Sequence, residues 1–196
     1  VADEIGLRKS PALVARALAR GPVKPIHVGV ANGRRFVMMA GAGFDANVVA
    51  SVSLPLKKKL GPLAYVWQAA ATAFTKNVPP CVVTIDGARH DSSSAVACNG
   101  RRYGGPFAAA RAASLSDRSF HVVLMRGAGW LSFLRYGLGL MVGRVDAWWD
   151  VAIVPGRNVV IDGVPGQPVQ ADGDIIARLP VTISIDPEPV LLVYPA

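Results

Sequence analysis

The chain has 196 residues, 52% of them apolar and 17% charged, with a formal net charge of +8. That length and apolar content can bury a core, which excludes an intrinsically disordered chain and leaves room for one substantial domain, or one domain plus a fragment of another. The basic excess favours anionic partners such as phosphates or acidic lipid surfaces, but the basic residues are scattered and no zinc-finger spacing, arginine-rich arm or interleaved aromatic pattern supports nucleic-acid binding.

The opening VADEIGL is acidic, has no initiator Met and lacks the apolar run of a secretory signal. Residues 10–21 read as a helix. Ser10 can cap it, Pro11 suits its first position, Leu13, Val14 and Leu18 form an apolar stripe, and Gly21 can end it. Strands are expected over 24–31 and 34–40 around Asn32-Gly33, a dipeptide that accepts positive φ at both positions. In AGAGFDANVV (40–49) small residues permit close packing, and Asp45 stands at the mouth of a helix. GAGFD lacks both the G-x-G-x-x-G spacing and the phosphate-loop lysine of nucleotide sites. Residues 56–74 hold Lys57-Lys58-Lys59, a Gly61-Pro62 break and LAYVWQAAATAF, which reads as a surface turn leading into a packed helix, or as a basic and aromatic segment against lipid.

From Pro80 the pattern changes. CVVTIDG, SAVACNG, FHVVLMRG, DVAIVPG, NVVIDG, PVTISI and VLLVYP are short β-branched runs bounded by Gly, Pro, Asn or Asp, the cadence of a sandwich or barrel. GWLSFLRYGLGLMVG (129–143) interrupts it. Trp130, Phe133, Leu134, Leu138 and Met141 recur at helical spacing, predicting a helix that covers the β core or, alternatively, touches an acyl chain. Trp148-Trp149, beside Asp146 and Asp150, read as core and edge packing or, alternatively, as the lining of a ligand surface. Cys81 and Cys98 lie in strand-like runs without metal spacing and are expected to be buried free thiols. His27, His90 and His121 also lack metal spacing. No stretch has 18 uninterrupted apolar residues, so no membrane span is expected, and a cytoplasmic location fits.

Four stretches resemble the diacylglycerol kinase catalytic family, which includes bacterial lipid kinases and sphingosine and ceramide kinases. They are ADEIGL at the start; AGAGFDANVV with the basic stretch and GPLAYVW after it; NGRRYGG (99–105); and QADGD (170–174) with LPVTISI and LLVYP beyond it. All four occur in the family's order and span nearly the whole chain. The resemblance implies a mainly β fold: the β-sandwich-like C-terminal domain of a lipid kinase, with a helical N-terminal segment and inserted helices. Residues 1–22 would be the end of a preceding nucleotide-binding domain, 23–189 the substrate domain, and 190–196 a strand returning to the first domain. The family's Gly-Gly-Asp-Gly-Thr motif does not occur in these 196 residues. The ATP-binding half is therefore expected to lie outside them, leaving no nucleotide-binding residues in this chain and the isolated chain inactive.

The intact enzyme implied would transfer the γ-phosphoryl group of ATP, with Mg²⁺, to diacylglycerol or a related lipid hydroxyl, mostly by positioning and charge neutralisation. Asp174 matches the family's late-motif glutamate as the base, with a side chain one methylene shorter, and Asp172 would orient its loop or reach the cation shell. Read alone, Asp172-Gly173 is also an ordinary hairpin turn. Resemblance places Gly43, Phe44, Asp45, Asn99, Tyr103, Gly104 and Gly105 at the substrate cleft. Alternatively, Asp45 is a helix cap and 99–105 a structural turn. Asp117 matches an aspartate linked to an ordering cation in some members, but Arg118 replaces the glycine that follows it there. Expected partners are the nucleotide-binding domain, the lipid, an acidic inner-membrane face met peripherally, and, through an exposed β edge, a second copy. The rival reading is a non-catalytic β-sandwich that binds lipid or protein.

Overall fold

A computed structural model describes residues 1–8, 10–51, 78–104 and 107–195. The lysine run and the helix expected within 56–74 fall outside the described residues. The first element is helix α1 (Pro11–Arg20), which begins with Pro11 and ends where the Gly21 N–H donates to Ala17 O. Of its residues only Ala17 is buried, so the Leu13, Val14 and Leu18 stripe faces outward. Gly21 is extended rather than left-handed. What requires glycine there is the returning carboxy-terminal segment, since a Cβ would lie 2.1 Å from Tyr194 O.

Strands β1 (Val23–Ile26), β2 (Gly29–Ala31), β3 (Arg34–Phe36) and β4 (Met39–Ala42) follow. Asn32 and Gly33 have φ of 45° and 81° and turn β2 into β3 as expected. Each of the two long strands expected here is broken in two, because its halves serve different sheets. β1 leaves to pair with β16 (Val190–Val193), so residues 190–193 have a partner within the chain. β4 crosses into the opposite sheet after a break at Val37-Met38.

The remaining strands are β5 (Cys81–Ile85), β6 (Ala88–Ser92), β7 (Ser94–Cys98), β8 (Arg102–Gly104), β9 (Phe107–Ala108), β10 (Phe120–Met125), β11 (Val151–Gly156), β12 (Asn158–Asp162), β13 (Pro168–Ala171), β14 (Asp174–Arg178) and β15 (Val181–Ile185). Two six-stranded antiparallel sheets form, ordered β11-β10-β7-β4-β13-β14 and β3-β2-β15-β12-β5-β6. Ala40, Ala97, Phe120, Val122, Leu124 and Val169 of the first meet Phe36, Val83, Val159, Ile161, Val181 and Ile183 of the second in one core. The chain is therefore a β-sandwich, as its strand cadence and resemblance implied.

The central strands β10, β7 and β4 of the first sheet are buried on both faces. Their outward Met39, Val96, Cys98, Val123 and Met125 pack in a second core with Phe133, Tyr136, Val145 and the 109–115 loop. Both thiols are free and buried, as expected, and burial pushes them up to about 11 at Cys81 and about 12 at Cys98. Helix α2 (Phe44–Ser51) and helix α3 (Trp130–Met141) lie on this outer side, where Phe44 and Phe133 stack with ring centroids 4.1 Å apart. α3 faces the opposite way from the sequence expectation. Of the apolar stripe Trp130, Phe133, Leu134, Leu138 and Met141, only Phe133 is buried. The inward face is Phe133, Tyr136 and Gly139, where a Cβ on Gly139 would lie 2.8 Å from Trp148 Nε1. Trp148 packs as expected, but Trp149 is 85% exposed.

Candidate functional site

Hydrophobic alternation along β13 puts Val169 and Ala171 in the sandwich core. Gln170, between them, therefore points to the outer side of the first sheet, beneath α2. There its Nε2–H donates to Asp45 Oδ2 (3.0 Å), and its Oε1 accepts the Gly173 N–H (3.1 Å). Both Gln170 and Asp45 are buried. Pairing shifts between Val169 and Gln170, an irregularity of the kind that re-aims a side chain in a sheet. A Cβ on Gly41 would lie 2.7 Å from Asp45 Oδ2, so the glycine leaves room for the carboxylate.

Asp45 lies in the first turn of α2. Burial pushes its carboxyl up from 3.8 to about 7, against the opposing hydrogen bonds from Gln170, the backbone N–H groups and Ser94. Its Oδ1 is buried with no hydrogen-bond partner. Gly43, with φ of +100°, fits against Ser93 and Ser94, where a Cβ would meet Ser93 O at 2.6 Å. Phe44 stacks on Phe133.

Asp172 and Gly173, with φ of 50° and 92°, form the hairpin turn between β13 and β14. The turn reading is therefore right in form, and the carboxylate has a further role. Asp172 Oδ2 accepts the Val37 N–H (2.7 Å), and Oδ1 accepts those of Met38 (2.8 Å) and Met39 (3.1 Å). These are the donors left over where β3 breaks from β4. Asp174 opens β14, is exposed, and pairs in register with Ala171.

The same break is held from its other side by Asn99, whose Nδ2 donates to Val37 O and His27 O, both at 2.8 Å. Beyond it, Glu4 receives the Arg101 N–H and Nε–H, both at 3.1 Å, on one oxygen and the Arg102 N–H (3.2 Å) on the other. Tyr103 is partly buried against the outer core and Gly104 ends β8. Gly105 lies outside the described residues.

Hydrogen bonds and short steps along the chain thus connect all four stretches singled out in the sequence, from Asp45 through Gln170 to Gly173 and its neighbour Asp172, then across Val37-Met38 to Asn99 and, two residues on, to Arg101 and Glu4. Asp117 stands apart. It is exposed in a turn with Ser114, and among the described residues no group of three or more His, Cys, Asp or Glu side chains could hold a metal.

Sequence reading did not assign roles to Gln170 and Glu4. The signal for Gln170 was available: an amide in a strand whose neighbours Val169 and Ala171 are apolar needs partners if it is buried. Nothing local to Glu4 announces a contact 97 positions away.

Residues 38–194 match the family model of the YegS C-terminal NAD kinase beta sandwich-like domain. A protein described as probable lipid kinase YegS-like, from Pseudomonas putida strain KT2440, is 29% identical over 173 residues, 85% of this chain and 58% of its own length. A crystal structure of a diacylglycerol kinase from Bacillus anthracis strain Sterne superposes with a TM-score of 0.72 at 20% identity, over 94% of this chain and 61% of that one. A second structure from that organism gives a TM-score of 0.74 at 20% identity, over 98% and 64%. At such identities the superpositions establish the fold, and the chain spans less than two thirds of each of these relatives.

Proposed function

Because the chain belongs to the family of YegS C-terminal NAD kinase beta sandwich-like domains, we propose that it is the substrate side of an ATP-dependent lipid kinase, acting on diacylglycerol or a related lipid alcohol. The observation that carries this reading is the line of hydrogen bonds and short chain steps through the four stretches. It gives residues far apart in sequence a common purpose around the Asp172-Gly173-Asp174 turn.

In this reading Asp174 takes the proton of the lipid hydroxyl. The freed oxygen attacks the γ-phosphorus, and ADP leaves. ATP and Mg²⁺ belong to a nucleotide-binding domain outside this chain, and Mg²⁺ supplies charge neutralisation on the phosphates there. The described residues contribute positioning. Asp172 locks the turn to the break after β3, and Gln170 locks it to α2. Displacement by about 1 Å at such a site costs about 10²-fold in rate, which gives the Asp172 and Gln170 contacts their importance. Gly43, Phe44, Asn99, Tyr103 and Gly104 surround this frame and provide the substrate side. The isolated chain is inactive in this reading. The enzyme works from the cytoplasm at the inner membrane face, and among the described residues no helix is long and apolar enough to cross a membrane.

A second reading, a non-catalytic lipid- or protein-binding sandwich, draws on Asp172, whose two oxygens both serve backbone N–H groups. The deciding experiment is ATP-dependent phosphorylation of a lipid panel by the full-length gene product and by the 196-residue chain. Activity in the long form alone supports the kinase. Lipid binding without phosphorylation by either form rejects it in favour of the binding module.

A further inference from the structure

A helix at the surface of a globular protein ordinarily turns its apolar stripe to the core and its polar side to water. α3 instead buries Phe133 and Tyr136 and turns a second apolar stripe outward. Trp130, Leu131, Leu134, Leu138, Met141 and the following Val142 are 42–68% exposed. At 3.6 residues per turn they fall within an arc of about 120°. The opposite side packs against the outer core and is also held by polar contacts. Tyr136 and Arg135 both donate to the buried carboxylate of Asp150, and the Gly127 N–H donates to the Tyr136 hydroxyl (2.7 Å). Arg135 is the single charged residue between Trp130 and Val142.

Charge frames this face with one sign. Arg126 precedes the helix and Arg144 follows it, both exposed, and the Arg111 guanidinium reaches its end, where a Cβ on Gly143 would lie 3.2 Å from Nη2. Asp146 is the exposed acid on the same segment, while Asp150 is buried against Arg135. With 12 residues α3 is too short to cross a bilayer. An apolar arc with basic residues at its margins suits a helix lying in the interfacial plane. It is the inward side of the same helix that meets the candidate site, where buried Phe133 stacks on Phe44 of the AGAGFD stretch.

We propose that the outward face of α3 is the surface by which this chain docks on an anionic lipid bilayer, with Leu131, Leu134, Leu138 and Val142 entering the acyl boundary and Arg126, Arg144 and Arg111 meeting lipid phosphates. The proposal rests on the lipid-kinase reading for its purpose, because a water-insoluble substrate must be collected from a membrane.

The test is co-sedimentation of the 196-residue chain with vesicles of phosphatidylcholine alone or of phosphatidylcholine with phosphatidylglycerol. Preferential pelleting with the anionic vesicles is expected. Leu134→Glu combined with Leu138→Glu, both at exposed positions, lowers the partition coefficient on the order of a hundredfold with an unchanged thermal transition. Arg144→Ala lowers it roughly fivefold, on anionic vesicles only. Undiminished binding by the double variant, or no binding by the parent chain, overturns the proposal. So does a concentration-dependent dimer that the double variant dissolves while vesicles bind neither form, because the face would then join two copies. Phosphorylation by the full-length product separates this inference from the kinase reading. Turnover of a soluble short-chain diacylglycerol without vesicle binding by the chain sinks the docking and keeps the kinase. Vesicle binding without turnover of any lipid sinks the kinase and keeps the docking.

Discussion

The two sheets of the sandwich are built from strands of similar length but live in different surroundings. The second alternates: β5 buries Cys81, Val83 and Ile85 and leaves Val82 and Thr84 half-exposed. The first is covered on both faces along its central strands, so β7 is buried at every position from Ser94 to Cys98. A sheet wet on one side can place carboxylates cheaply in water, as the second does with Asp86. A sheet dry on both sides cannot. The one carboxylate laid against its outer face in the AGAGFD stretch, Asp45, is driven towards neutrality. The candidate site thus sits on the sheet where an unpaired polar group costs most, and most of its polar groups are held by hydrogen bonds, with Asp45 Oδ1 an exception.

The largest effect should come from that buried carboxyl. Asp45 binds its proton more tightly folded than unfolded, so its contribution to stability is complete below pH 3.8 and is lost as pH rises towards about 7. Chemical denaturation across that range should show a fall on the order of 4 kcal/mol. Asp45→Asn should abolish it, and a flat profile in the parent would contradict the desolvation described here. Asp86 has the opposite sign. Hydrogen bonds from the Asn158 and Arg157 N–H groups hold it below the usual carboxylate range, so its contribution is present above that range and lost as pH falls through its folded value. Asp86→Asn should blunt the acid limb alone.

Core truncations sharpen the same contrast. Leu124 and Met125 are neighbours on β10 that face the two sides of the first sheet, and each changed to Ala should cost about 2–5 kcal/mol in urea unfolding. In the second sheet only one of two neighbours should matter. Ile183→Ala should cost as much, while Thr182→Ala, at an exposed position, should stay within about 0.5 kcal/mol. Equal costs at Ile183 and Thr182 would break the comparison. The Asp172→Ala change is smaller still than the core series. It strands the Val37, Met38 and Met39 N–H groups at the sheet margin, where water can partly replace the lost acceptor, and should cost about 2 kcal/mol. Under the proposed lipid-kinase function, the same variant should lower lipid phosphorylation by the full-length product more than stability alone explains.

Much of this was legible in the chain itself. Seven β-branched runs predicted seven of the strands, and Asn32-Gly33 and Asp172-Gly173 predicted their turns, because such signals are local and each residue carries its own conformational preference. The strands that sequence reading passed over lack that signal. β6, ARHDS, is polar, and β14 begins at the acidic end of a turn. Their pairing with β5 and β13 forms them. Of the site, the stretches containing Asp45, Asn99 and Asp172 could be named in advance, but not the contacts that make them one structure. The inversion of α3 was hidden for a related reason. Periodicity locates an apolar stripe but not the side on which the rest of the protein lies.

The sequence alone determined a mainly β chain and its turns, consequences of short-range sterics and of alternation along a strand, while its resemblance to a known family chose the sandwich over a barrel and named Asp45, Asn99 and Asp172 as candidate site residues. Tertiary structure decided which sheet became dry on both faces. It also decided that Gln170 bridges Asp45 to Gly173, and that Asp172 receives backbone donors from more than a hundred residues away. Those outcomes depend on which surfaces exclude water once the strands have paired. Burial belongs to the assembled chain rather than to any stretch of it.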